Sequence, residues 1–159
     1  QANKIIFPGV GEASFAMNLL NELDVIDILK KTDKPLLGIC LGMQLFFSNS
    51  EEGNTNCLNV VNGRIKKFKV SNLKIPHMGW NRVEKIKESK LLINISGSDF
   101  FYFANSFYAP IAVETKAITE HGIKFTSVIE KDNYFGVQFH PEKSGISGLK
   151  LLKNFGELC

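Results

Sequence analysis

Tryptophan occurs once and cysteine three times in the 159 residues. Three is an odd count, and Cys40, Cys57 and Cys159 lack the close spacing of metal-ligand pairs, so neither a disulfide framework nor a zinc-type centre is encoded. A reducing, cytoplasmic setting is the simplest home for such thiols. No apolar run approaches the roughly 18 residues that a membrane span needs. An excess of one charge is missing too. With 19 basic against 16 acidic residues, the net charge of +3 is too balanced to mark nucleic acid or an anionic membrane as a partner. Repeats, low-complexity tracts and linkers are absent, which leaves one domain over residues 1–159. The chain opens on Gln1 and enters an apolar strand almost at once. That predicts a missing N-terminal portion, and with it poor stability for residues 1–159 alone.

What is present centres on residues 36–47, Leu-Leu-Gly-Ile-Cys-Leu-Gly-Met-Gln-Leu-Phe-Phe. An apolar strand runs into Gly38-Ile39-Cys40-Leu41-Gly42 and then into an apolar, helix-like segment. This is the layout of a nucleophile elbow with cysteine in place of serine. Glycine on either side of the nucleophile makes room for a sharp turn, and the following helix N-terminus is expected to favour the reactive thiolate.

Upstream, residues 4–7 read as a buried strand, followed by Pro8-Gly9-Val10-Gly11. Residues 13–31 read as helix, with Phe15, Leu19, Leu20 and Leu23 at three- and four-residue spacing and a second short helix starting near Asp24. Strand, helix, strand, helix with continuous apolar strands predicts a parallel sheet covered on both faces. Residues 48–63 are polar and turn-rich. Short strands are then expected at 63–68, 74–78, 82–86, 99–107, 112–119, 123–130 and 134–139, partly antiparallel, with hairpin turns at 119–122 and 131–133. A final helix over 148–158 is expected to turn Leu149, Leu152, Phe155 and Leu158 inward.

A cysteine nucleophile needs a base, and the base needs an orienting group. His121 falls at a hairpin tip and reads as solvated surface, while His77 reads as structural or interfacial. His140 ends an apolar strand in Phe139-His140-Pro141-Glu142. At a strand end residues i and i+2 share a side, so Glu142 can hold the ring of His140. Cys40, His140 and Glu142 therefore form a candidate triad. An oxyanion hole would take the Leu41 amide and donors from the Pro8-Gly9-Val10-Gly11 turn, at Val10 and Gly11.

Gly38-Ile39-Cys40-Leu41-Gly42-Met43-Gln44 together with His140-Pro141-Glu142 resembles the class I (triad) glutamine amidotransferases, over essentially the whole chain. Pro76-His77-Met78-Gly79-Trp80-Asn81 and His140-Pro141-Glu142-Lys143-Ser144 are similar to the branch formed by the glutaminase subunits of imidazole glycerol phosphate synthases. The resemblance implies a three-layer α/β fold of flavodoxin-like core, with a mostly parallel central sheet and an antiparallel β extension. It implies glutamine hydrolysis to glutamate and ammonia, without metal or organic cofactor, and ammonia transfer to a (βα)₈-barrel synthase subunit in a heterodimer. It places glutamine on Gly11, Gln44, a glutamate of the Glu51-Glu52 pair (taken as Glu51), Ser106 and Phe107. Trp80, Tyr102 and Lys143 match positions that face the barrel. One departure is Asn105, where that branch usually carries histidine. It leaves open a paralogous glutaminase that supplies a nucleotide-sugar amidotransferase in surface-polysaccharide synthesis, and a non-catalytic regulatory module on the same fold is the third reading.

Overall fold

The computed structural model describes residues 2–159. In chain order the elements are β1 (Ile5–Gly9), α1 (Ala13–Glu22), α2 (Ile26–Lys31), β2 (Leu36–Cys40), α3 (Leu41–Gln44), β3 (Phe47–Ser50), a 3-10 turn (Glu52–Asn54), β4 (Thr55–Asn56) and β5 (Val61–Lys67). There follow β6 (His77–Arg82), β7 (Glu84–Lys85), β8 (Phe100–Asn105), β9 (Phe107–Tyr108), β10 (Thr115–Glu120), β11 (Lys124–Lys131), β12 (Tyr134–Val137), a second 3-10 turn (Pro141–Lys143) and α4 (Gly145–Leu158).

The main sheet runs β1-β2-β12-β11-β10-β7. It is mixed: β1, β2 and β12 are parallel, and the strands beyond them pair antiparallel. Strand β2 is buried along its whole length, as a parallel strand covered on both faces must be. Leu36 belongs to an apolar cluster on one face with Met43, Phe46 and Tyr134, on the side of α1 and α3. Leu37 and Ile39 belong to the cluster on the other face with Phe135, Leu151 and Phe155, on the side of α4. Burying each such side chain contributes about 1.5–3 kcal/mol. This is the three-layer α/β arrangement that the strand–helix alternation predicts. A smaller sheet, β4-β3-β5-β9, and the pair β6-β8 complete the β-rich second half.

Four local expectations are corrected. The helix after the elbow is a single turn ending at Gln44, and Phe47 begins β3 instead of extending it. Phe46 and Phe47 fill the space between two sheets and are fully buried. On α1, Phe15, Leu19 and Leu23 face outward beside the unpaired edge of β1, while Ala13 is the buried position. On α4, Leu149 and Leu158 are exposed and the inward stripe is Gly148, Leu151 and Phe155. The β-carbon of any residue at 148 would overlap the Pro141 carbonyl, so this helix seats by backbone contact, which periodicity does not reveal.

His121 is the fourth. The β10–β11 hairpin folds its tip back, and the ring stacks on His77 at 4.1 Å, with Nε2 3.1 Å from the Lys74 carbonyl. His77 itself is buried and stacks on Phe103 at 4.8 Å. The Asn81 side-chain amide donates to its Nε2 at 3.2 Å, a bond that requires the neutral ring. Burial, and secondarily the adjacent His121 ring, pushes the His77 imidazole down to about 4. An unfolded histidine protonates near 6.5. Between these two values the unfolded state holds more protons, so stability falls as pH falls. We expect a loss on the order of 2 kcal/mol between pH 7 and pH 5 from this residue. Urea unfolding at both pH values checks it: His77→Phe should flatten the pH dependence, and an unchanged dependence would contradict the assignment.

Candidate active site

Three chain crossings meet at one end of the parallel strands. Gly9 pairs with Cys40, and Ile39 with Val137, so residues 10–11, Cys40 and residues 138–140 emerge side by side from β1, β2 and β12. Carboxyl ends of adjacent parallel strands are where α/β sheets hold ligands. Cys40 has φ 54° and ψ −110°, a conformation forced on a residue with a side chain. Such strain persists only where surrounding structure over-determines it, and it concentrates at functional sites. Here the enforcing contacts are two glycines. A β-carbon on Gly42 would overlap the Phe7 carbonyl oxygen, and one on Gly38 would lie 2.6 Å from Phe46 and 2.7 Å from the Met43 nitrogen. The elbow is thus pressed against β1 from above and against its own helix from below.

A cavity of about 250 Å³ opens over the elbow. Cys40, Leu41, Gln44 and His140 line it from the parallel strands and α3, Val10 and Gly11 from the turn after β1. Ser106, Phe107 and Lys143 close its far side. These sequence-predicted residues therefore do come together. Gly11 adopts φ +99°, and nothing lies within 4 Å of where its side chain would be, so the turn is free to present its peptides to the cavity.

His140 is 5% exposed and anchored by three contacts. Its amide donates to the Tyr102 carbonyl at 2.8 Å, and its carbonyl accepts the Ser144 hydroxyl at 2.6 Å. Its Nδ1 lies 2.7 Å from Glu142 Oε1. A carboxylate only accepts, so this contact assigns the ring proton to Nδ1 and leaves Nε2 as the acceptor. Glu142 itself sits in the 3-10 turn after His140 and outside the cavity, behind the ring it orients.

Cys40 is not a preformed thiolate. Burial pushes its thiol up to about 11, opposed by the Leu41 amide, raised further by Glu142, and opposed again by Gln138. The effect expected of the helix N-terminus is present in the Leu41 amide, but burial outweighs it. The sulfur must instead lose its proton to a base, as the triad supplies. Cys57 and Cys159 are pushed up to about 11 as well, also by burial, and neither lies in this cavity.

Glu51 is not in the cavity. Its carboxylate accepts the Lys67 amide at 2.9 Å and is held toward β5. Glu52, the other member of the pair, lines the cavity and accepts the Ala13 amide at 2.9 Å. Burial raises its carboxyl above the ordinary range. A 3-10 turn begins at this pair, and the parity that decides which glutamate points inward is set by the turn, not by the local sequence. Gln138 was also missed. It is fully buried, with its Nε2 3.7 Å from the Cys40 sulfur. Asn105 lines the cavity as well, its amide donating to the Phe107 carbonyl at 2.9 Å and its Oδ1 buried without a partner.

Outside the cavity, Trp80 is 56% exposed and meets Tyr102 edge-on at 6.0 Å. Lys143 Nζ lies 5.9 Å from the Tyr102 ring. The predicted interface trio is therefore contiguous, and Lys143 joins it to the cavity. Among the described residues no group of three or more His, Cys, Asp or Glu side chains is placed to hold a metal ion. No helix among them is long and apolar enough to cross a membrane.

A strained cysteine at a strand-to-helix elbow, sharing a cavity with a carboxylate-oriented histidine, is the arrangement of a thiol-dependent acyl-transfer enzyme of the α/β class. The family model for class-I glutamine amidotransferases matches residues 2–158, and the chain belongs to that family. It is 46% identical to imidazole glycerol phosphate synthase subunit HisH of Buchnera aphidicola, over 99% of this chain and 81% of that protein. It is 48% identical to the subunit of the same name from Blochmanniella floridana, with the same coverage. A solved glutamine amidotransferase shares the fold at a TM-score of 0.69 and 18% identity, over 97% of this chain and 79% of its own.

Proposed function

We propose that the chain is the glutaminase subunit of an imidazole glycerol phosphate synthase, hydrolysing glutamine and passing ammonia to a (βα)₈-barrel subunit for histidine synthesis. The observation that carries the reading is the strained Cys40 in one cavity with the Glu142-oriented His140. The subunit assignment rests on the two relatives of that name. In this reading the chain is a single type 1 amidotransferase domain that works in the cytoplasm.

His140 Nε2 takes the proton from Cys40 as its sulfur attacks the side-chain amide carbon of glutamine. The oxyanion that forms lies against the Leu41 amide and the Val10–Gly11 turn. His140 then gives the proton to the departing nitrogen, which leaves as ammonia and breaks the C–N bond. The glutamyl thioester remains. Water attacks it, deprotonated by His140, and glutamate leaves as the thiol is regenerated. Gly11, Gln44, Ser106, Phe107 and, in place of Glu51, Glu52 hold the substrate. Trp80, Tyr102 and Lys143 receive the barrel subunit at the rim of the same cavity, which gives ammonia a short path across the interface. Asn105, the residue that keeps the nucleotide-sugar pathway in view, bonds the cavity wall and does not redirect this reading.

Glu52 supports a sharp prediction. Its carboxylate is the acidic group of the cavity placed for the α-ammonium of glutamine. Glu52→Gln should raise KM for glutamine by about tenfold or more with a smaller change in kcat, whereas Glu51→Gln should leave both unchanged. Steady-state glutaminase assays of the two variants decide it, and equal effects would return the role to Glu51 or to neither.

The reading as a whole is tested by reconstitution. The complete subunit alone should hydrolyse glutamine slowly, and the barrel synthase with its nucleotide ligand should accelerate it strongly. Full activity in the isolated subunit would remove the dependence on a partner. Co-purification with a nucleotide-sugar amidotransferase instead of the barrel would overturn the pathway.

A further inference from the structure

A chain of three carboxamides and one peptide carbonyl runs behind the cavity. The Phe107 carbonyl accepts from Asn105 Nδ2 at 2.9 Å and from Gln44 Nε2 at 3.0 Å. Gln44 Nε2 donates its second hydrogen to Gln138 Oε1 at 2.9 Å. Gln138 Nε2 then points at the Cys40 sulfur, 3.7 Å away. The direction of this chain is not arbitrary. A peptide carbonyl can only accept, so Gln44 must turn its nitrogen to Phe107. With both of its hydrogens spent there and on Gln138, Gln138 must turn its oxygen to Gln44 and its nitrogen to the sulfur. Flipping either carboxamide would set two acceptors or two donors face to face in a site where buried polar groups need partners. The Gln138 backbone is fixed as well, its amide donating to the Ser127 carbonyl at 2.9 Å.

We propose that Gln138 is a catalytic residue of this site: its carboxamide N–H donates to Cys40 Sγ, stabilises the sulfur as it loses its proton to His140, and through Gln44 ties that donation to the occupied substrate seat. The inference rests on the glutaminase reading above. The sulfur has few other sources of help. His140 is needed as base, while the Glu142 and Glu52 carboxylates oppose a thiolate, which leaves Leu41, Gln138 and the Lys143 ammonium at the cavity rim as the donors and cation that face it. Among the described residues no group donates to Gln44 Oε1, so the free end of the chain is an acceptor at the cavity and takes a substrate N–H. A substrate seated there fixes Gln44, and Gln44 fixes Gln138 against the nucleophile.

Gln138→Glu keeps the shape but replaces the donor with an anionic oxygen, and Gln138→Met removes the donor without adding charge. Both are to be made in the complete subunit assembled with its barrel partner. Alkylation of Cys40 by iodoacetamide, followed by peptide mass from pH 6 to pH 10, should slow by about tenfold or more at pH 8 in Gln138→Glu, with the profile displaced upward. In Gln138→Met the same rate should fall several-fold. The kcat for glutamine should drop by about tenfold or more in Gln138→Glu while KM moves less than about threefold. In the unaltered protein, the side-chain amide resonances of Gln138 should shift when Cys40 is alkylated, a readout that no folding defect can mimic. Wild-type alkylation profiles in both variants, an unmoved resonance, or a rise in KM at constant kcat would each overturn the proposal. Absence of glutamine turnover in the wild-type assembly would count against the glutaminase reading instead, and the alkylation and resonance measurements would still judge Gln138.

Discussion

Replacing Cys40 with alanine should abolish glutamine hydrolysis, with a loss of about 10⁴-fold or more, because the side chain that forms the acyl bond is removed from the elbow. The same residue should be the only one modified by a glutamine-shaped diazo-ketone. The basis is geometric, since burial pushes all three thiols to about 11 and acidity does not separate them. Only Cys40 shares a cavity with His140 and with residues able to seat glutamine. Peptide mass mapping after labelling provides the measurement. Comparable modification of Cys57 or Cys159 would remove the distinction on which the site is built. Cys40→Ala retaining measurable turnover would remove the nucleophile itself.

Gly42→Ala should be among the most damaging single-methyl changes in the chain, alongside Gly148→Ala, whose added carbon would meet the Pro141 carbonyl. At Gly42 the added carbon would overlap the backbone carbonyl of Phe7, and a backbone cannot step aside as a flexible side chain can. Strand β1 and helix α3 would have to separate, opening the apolar contacts on both sides of the elbow. The expected cost is about 3 kcal/mol or more, which for a chain of this size lowers Tm by roughly 6–12 °C. Activity should fall with it, since the displaced β1 carries Val10 and Gly11. Denaturant midpoints of the two proteins give the comparison, and a wild-type midpoint would show that β1 and α3 can separate at the elbow without cost.

The legible parts of this site were those written in adjacent residues. Gly38, Cys40 and Gly42 announce a turn whose strain the Cys40 dihedrals display. His140 and Glu142 announce a pair through strand parity, and they meet at 2.7 Å. What escaped was written across the fold. Gln138 sits in an apolar strand, where a single polar residue reads only as an interruption, and its meaning comes from Gln44, 94 positions away. Glu51 and Glu52 are indistinguishable until a 3-10 turn chooses between them. The stripe on α1 was read correctly as apolar, but only Leu20 of it packs on the core, while Phe15, Leu19 and Leu23 are exposed. His121 stacks on His77 only because a hairpin tip folds back over Phe68, 5.7 Å from its ring.

The three stations of the site stand on three neighbouring strands, and hydrogen bonding spaces neighbouring strands by about 4.8 Å in any sheet. The span from the turn after β1, across the nucleophile, to the base after β12 is therefore a ruler with two fixed divisions. Side-chain substitutions can change what stands at each mark but not the distance between marks. Only a register shift or an inserted residue in β2 or β12 can do that. An attempt to adapt this enzyme to a wider scissile group would gain nothing at Cys40 or His140 and would have to be made in the hydrogen-bond ladder beneath them.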